Sequence, residues 1–260
     1  MFEKDALLPT ERVEVPWTWL QTIFGALLTL VPWIALSLTL ATSQSSHTHI
    51  THLKPAQDLA NAIITFVVSS LIEAAFLIAP LYYAARSFSG LSGRLRLALQ
   101  SLGFRRFRVG PALTWIAVLF LAIFAADSLY GALINYFHFH IQTNDQVVLQ
   151  LSKTAPLTTY ATLLAAVVVA PFCEEIFFRS FVFAGMLRAI PVALSILFSA
   201  LVFGIAHVDP GSFPLLCIIG LALAFLRWRT RSIWPGMILH MLNNGFSALV
   251  IVLTMHGLIR

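Results

Sequence analysis

Two adjacent carboxylates and an arginine lie inside a very apolar stretch of the chain, PFCEEIFFRS at residues 171–180. Placing an ionised side chain in lipid costs about 2.5–3.5 kcal/mol on insertion scales. On a helix, Glu175 and Arg179 are four residues apart with the glutamate first, which is the favoured order for an ion pair. Glu174 then has no countercharge on its own helix. A salt bridge needs only one acid, so the second acid points to a general base.

Two further polar pairs lie on later apolar segments. Phe203 and His207 are four residues apart in LVFGIAHVDP, and His240 and Asn244 are four apart in GMILHMLNNG. Residues four apart share a helix face, so an imidazole and an amide are directed at one place. Such donors can stabilise a developing oxyanion, although the same pair could form an interhelical hydrogen bond worth about 0.6 kcal/mol. Together these residues form a set that can perform hydrolysis.

The composition places these residues in a membrane. Of the 260 residues, 59% are hydrophobic and 10% are charged, and the mean hydropathy is +0.87, whereas a soluble domain carries about 25% charged residues. We predict an all-α, polytopic transmembrane helix bundle that forms a single domain over residues 1–260. Within it we expect a cytoplasmic tail at 1–19 and a catalytic core at 157–254. The net charge of +5 comes from arginines between apolar segments, so we expect membrane lipids and no nucleic acid as partners.

Seven apolar segments approach the roughly 20 residues that a spanning helix needs. These segments are 20–42, 60–84, 111–137, 157–188, 192–208, 213–227 and 233–254. The fourth contains Pro171, which cannot donate a hydrogen bond to the carbonyl of Val167 and should kink or split the helix. The sequence therefore predicts seven spans, or eight if the split is complete.

Arginines set the expected orientation. The segment 86–108 contains six arginines and no acid, and the stretch RWRTR at 227–231 contains three. The positive-inside rule places both segments in the cytoplasm, and the four predicted spans between them agree. The N-terminus is then cytoplasmic and the C-terminus outside. We interpret residues 89–108 as a solvated loop because glycines interrupt it; an amphipathic surface helix is the alternative.

The polar residues form three motifs that resemble those of the CAAX protease and bacteriocin-processing family, also called the Abi family, of intramembrane glutamate proteases. The motifs occur in the family's order on successive membrane segments: Glu174-Glu175-x-x-x-Arg179, Phe203-x-x-x-His207 and His240-x-x-x-Asn244. Eukaryotic members of the family remove the last three residues of prenylated CaaX proteins, and bacterial members are linked to peptide maturation and bacteriocin immunity. The resemblance implies an intramembrane endopeptidase of a bacterial inner membrane, acting on a lipidated or apolar peptide without a required cofactor.

The resemblance also implies a role for each motif residue. Glu174 and His207 would hold and activate the attacking water. His240 and Asn244 would stabilise the oxyanion. The remaining three motif residues would support the site: Glu175, Arg179 and Phe203.

Two other chemistries compete with this interpretation. Zinc could be bound by Glu174, His207 and His240, a set that leaves one position open, although no His-Glu-x-x-His signature is present. Cys173 could act as a nucleophile, but an apolar site disfavours the reactive thiolate.

Two functions without proteolysis also remain. A membrane immunity protein or peptide-binding protein would carry a similar polar pocket. A transporter could use Glu73 and Asp127 as an ion relay, but the sequence shows no two-fold repeat of broken segments. We expect these two acids to make interhelical hydrogen bonds or to line the polar cavity.

Overall fold

The computed structural model describes residues 15–44, 53–86, 91–139 and 143–259, and this part of the chain is almost entirely helical. Its nine helices are α1 (Trp19–Gln44), α2 (Pro55–Arg86), α3 (Leu91–Ser101), α4 (Val109–Tyr136), α5 (Asn144–Ser152), α6 (Pro156–Met186), α7 (Val192–Ala206), α8 (Phe213–Thr230) and α9 (Trp234–Met255). The described ranges contain no strand. The predicted all-α fold is confirmed.

Six of these helices are long and apolar enough to cross a membrane: α1, α2, α4, α6, α8 and α9. The fifth predicted span corresponds to α7, which has 15 residues. At 1.5 Å per residue it is about 22 Å long, shorter than a hydrocarbon core of about 30 Å. The chain is a multi-pass membrane protein, and α7 ends at Ala206, directly before His207.

Helix α6 continues through Pro171, so the alternative with eight spans is wrong. Residues Ala165–Val169, directly before the proline, form a π-helical turn, and Glu175–Phe183 form a second π segment. A π turn pairs each carbonyl with the amide five residues later. The wider π turn therefore accommodates Pro171, and α6 remains one continuous helix.

Contacts between loops place the two arginine-rich segments on the same side of the bundle. The amide of Ile233, between α8 and α9, donates to the carbonyl of Gly103 over 2.9 Å. On the same side, the Arg188 side chain donates to the carbonyls of Val15 and Trp17, both at 2.8 Å. We call this side, defined by residues 101–108 and 230–233, the arginine side. Because both arginine-rich segments lie on this side, the structure agrees with the prediction that they face the same compartment.

Part of the predicted tail 1–19 belongs to the bundle. Val15 and Trp17 are buried, and α1 begins at Trp19. Residues 1–14 lie outside the described residues.

The arginine-rich segment contains a helix where we expected a solvated loop. Helix α3 includes Gly93 without interruption. Ala98 and Leu102 are buried, whereas Leu95 is 72% exposed and Arg96 is exposed as well. The segment is therefore helical, as in the alternative interpretation, and the expected loop is wrong for Leu91–Ser101.

Helices α2 and α6 lie side by side and run in the same direction. Near their beginnings, the Asp58 carboxylate accepts hydrogen bonds from the amides of Leu157 (2.8 Å) and Thr158 (3.0 Å). Further along, the ring of Phe76 packs on that of Phe177, with 5.1 Å between centroids. Both contacts join residues about 100 positions apart, so the two helices keep one register along their length.

We predict that Asp58→Ala destabilises the protein by about 1–3 kcal/mol, because amides at the start of α6 lose their acceptor in a buried setting. Asp58→Asn retains one acceptor oxygen and should be milder. Thermal unfolding of the purified variants in detergent measures the difference. An unchanged melting temperature for Asp58→Ala would contradict this role.

Candidate active site

The three motifs meet inside the bundle, on α6, α7 and α9. One oxygen of Glu174 (Oε1) is 3.9 Å from His207 Nε2, and the other (Oε2) is 3.7 Å from His240 Nε2. Glu174 and His240 are buried, whereas the His207 side chain is 24% exposed. Two imidazoles from different helices thus face one carboxylate, and His207 is the member of this group with access to the outside of the protein.

The His207 ring has a defined orientation. Its Nδ1 lies 2.8 Å from the carbonyl oxygen of Phe203, and a carbonyl can only accept, so Nδ1 is the donor. In the neutral imidazole, Nε2 then carries a lone pair and faces a Glu174 oxygen, which is also an acceptor. Two facing acceptors need a shared donor, and a water molecule beside them can reach both at about 2.8 Å.

The second carboxylate, Glu175, is fully buried between two basic side chains. Its Oε1 is 3.4 Å from Arg179 Nε, which is the pair expected from the sequence, and 3.2 Å from His240 Nδ1. The contact with His240 was not predicted, since it joins residues 65 positions apart. It fixes the His240 ring so that Nε2 points towards Glu174.

The aromatic ring of Phe203 contacts Arg179 and both histidines of the site. The Arg179 guanidinium carbon lies 4.2 Å from the ring centroid, a cation–π contact. The same ring packs against His207 at 4.5 Å and His240 at 5.7 Å between centroids. Phe203 therefore holds both imidazoles in place, which is consistent with the supporting role expected of it.

Asn244 is anchored by the π turn before Pro171. In the π register the carbonyl of Ala165 accepts from the amide of Ala170, so the next carbonyl, that of Ala166, faces a proline without an N–H. Asn244 Nδ2 donates to that free carbonyl over 2.9 Å. The prediction that Val167 loses its hydrogen bond is therefore wrong by one residue, because it holds only for an α-helical register. One N–H of Asn244 is thus used for anchoring and a second remains.

Three other candidate residues, Cys173, Glu73 and Asp127, have different surroundings. Cys173 is buried beside the site. Glu73, on α2, interacts electrostatically with Glu174. Asp127, on α4, interacts with Asp145 of α5. Within the described ranges, no group of three or more His, Cys, Asp and Glu side chains is arranged to hold a metal ion.

Comparison with known families identifies the segment that carries these motifs. Residues 156–246 match the family model described as type II CAAX prenyl endopeptidase, Rce1-like. This segment is similar to the Rce1-like CAAX protease family. All three motifs fall inside the matched range, so the resemblance drawn from them is confirmed.

Two curated bacterial relatives match a little over half of the chain. The chain is 31% identical over 142 residues to the "Putative membrane peptidase YdiL" of Bacillus subtilis (strain 168), covering 53% of this chain and 56% of the relative. It is 26% identical over 154 residues to an uncharacterized protein of Mycoplasma capricolum, covering 54% and 44%. The matches thus span about half the length of these relatives. No solved structure matches the chain.

We predict that Gly236→Ala destabilises the site. A Cβ atom at Gly236 would lie 2.7 Å from Glu175 Oε2, and this carboxylate cannot move freely because Arg179 and His240 hold it. Gly245→Ala, on the same helix, is the matched control: its Cβ atom would approach only a Val167 methyl group, at 3.8 Å. Thermal unfolding should show a loss for Gly236→Ala and no loss for Gly245→Ala, since alanine favours a helix by up to about 1 kcal/mol. Equal effects would refute the steric argument.

Proposed function

We propose that the protein is an intramembrane endopeptidase that hydrolyses a peptide bond in a lipidated or otherwise apolar substrate, like a CaaX prenyl protease. The observation that supports this function best is the buried carboxylate of Glu174 facing His207 and His240 within an Rce1-like segment. A peptide bond is cleaved by water only when a base activates the water and donors stabilise the oxyanion. The site contains candidates for both tasks.

In the proposed mechanism, a water molecule lies between Glu174 Oε1 and His207 Nε2. Glu174 accepts a proton from this water as the oxygen attacks the carbonyl carbon. The C–N bond then breaks, and both protons of the water end on the nitrogen. The products at neutral pH are a carboxylate and an ammonium group, so atoms and charge balance.

The oxyanion would be stabilised by His240 and Asn244. His240 Nδ1 donates to Glu175, and Nε2 donates to the oxyanion, so the ring carries both protons in this step. Asn244 contributes the N–H that is not bound to Ala166. Both groups are held before substrate arrives, and such preorganisation is what makes an oxyanion hole effective.

The surroundings of the site suit an apolar substrate. Large hydrophobic side chains are exposed along the apolar helices, including Leu201 and Ile205 on α7, the helix that ends directly before His207. A lipidated peptide could therefore approach His207 while its lipid stays in the bilayer. Cleavage near the substrate's C-terminus would follow the CaaX analogy.

Two alternatives give different experimental results. A zinc-dependent form of the same protease would use Glu174, His207 and His240 as ligands, with zinc supplying a Lewis acid. A non-catalytic immunity or peptide-binding protein would retain its biological effect without turnover. We propose the mechanism without a cofactor because one base and two donors already supply the groups that hydrolysis requires.

The test is cleavage of farnesylated and unmodified CaaX peptides by purified protein, with Glu174→Gln as the comparison. The amide has nearly the same shape as the carboxylate but cannot act as the base, so we expect a loss of at least about 100-fold in rate. Mass spectrometry of the products gives the position of the cut. Full activity in a folded Glu174→Gln protein would disprove the proposed role of Glu174.

Cys173→Ser tests the thiol alternative. Cys173 is buried, and serine has nearly the same volume. We predict that the cleavage rate changes by less than about threefold, since the proposed mechanism uses no thiol. Loss of cleavage in a variant with a normal melting temperature would favour a cysteine nucleophile instead.

A further inference from the structure

Helix α2 brings an acid outside the three motifs to the level of Glu174. The register of α2 and α6 pairs Asp58 with Thr158 and Phe76 with Phe177. The same offset of about 100 residues places Glu73 opposite Cys173 and Glu174, and Glu73 interacts electrostatically with both. A short 3₁₀ turn, Ala75–Leu77, begins two residues after Glu73, and such interruptions often mark functional positions in helices.

Glu73 differs from the other two site carboxylates in its partners. Glu175 contacts Arg179 and His240, and Glu174 lies near two histidines. Within the described residues, the buried Oε2 atoms of all three carboxylates have no hydrogen-bond partner, but Glu73 alone among the three forms no ion pair there with a basic side chain. Leaving a buried acceptor unpaired costs about 1–3 kcal/mol, and more for a charged group. The site therefore contains an acceptor that a bound group could satisfy.

A second unpaired polar atom lies on the same face of α2. The buried hydroxyl oxygen of Ser70 has no partner in the described part of the chain. Ser70 precedes Glu73 by three residues, so both side chains lie on one side of the helix. Glu73 and Ser70 thus present two polar groups without partners on one face of α2, and a ligand beside Glu73 can form hydrogen bonds with both.

The proposed reaction itself produces such a donor. The scissile amide carries one N–H before cleavage, and the released fragment carries an ammonium group with three. We propose that Glu73, together with Ser70, forms the leaving-group subsite, accepting the N–H of the scissile amide and then binding the ammonium group of the C-terminal product. This inference rests on the proposed peptidase function. A carboxyl group suits both states, because its oxygens accept hydrogen bonds whether or not it is ionised, and a bond to a charged donor is about twice as strong as one between neutral groups.

Binding of a product analogue to the purified full-length protein tests the subsite. The probe is the apolar tripeptide Val-Ile-Met with a free amine, compared with its N-acetylated form, which lacks the ammonium charge. We expect the wild-type protein to bind the free amine about tenfold more tightly, and Glu73→Gln to lose most of that preference. Ser70→Ala, a smaller change, should reduce the preference partially and provides a second variant if Glu73→Gln does not fold.

Asp127→Asn is the matched control, because it makes the same carboxylate-to-amide change in another spanning helix, next to Asp145. It should keep the wild-type preference. The inference is overturned if the wild-type protein does not distinguish the two tripeptides, or if Glu73→Gln retains the full preference. Binding is measured without turnover, so a Glu73-dependent preference in a protein that cleaves no peptide would reject the peptidase function while supporting an ammonium site.

Discussion

The arrangement of the site depends on one buried carboxylate. Glu175 is completely enclosed and contacts Arg179 on its own helix and His240 on α9. Removing one partner from a buried ion pair costs about 3–5 kcal/mol, because the other charge is left uncompensated. Glu175 can therefore serve as the fixed support of the site, which leaves the neighbouring Glu174 free to face both histidines.

The backbone of α6 makes a second contribution. Pro171 removes one amide, and the π turn before it determines that the freed carbonyl is that of Ala166. Asn244 is held by that carbonyl. A proline ordinarily weakens a helix, but here Pro171 leaves a free carbonyl that orients Asn244 of α9. This role explains why the interruption of α6 lies close to Glu174, the proposed base.

The sequence predicted the helical class, the Glu175–Arg179 pair and the motif residues, because these depend on composition and on spacing within one helix. It could not predict the contact between Glu175 and His240, which depends on how α6 and α9 pack. It also assigned the freed carbonyl to the wrong residue, since π turns leave no spacing signal. Helix α3 was missed because the glycines of residues 89–108 were given more weight than the alternating leucines and arginines between them.

The mechanism is tested most directly by the rate at which purified protein with a quantified metal content cleaves a farnesylated CaaX peptide. A water activated by Glu174 and His207 requires no metal, so we predict that the rate per folded molecule is independent of bound zinc. A rate that rises in proportion to zinc content would contradict the account. So would the absence of cleavage by folded protein across a panel of CaaX peptides.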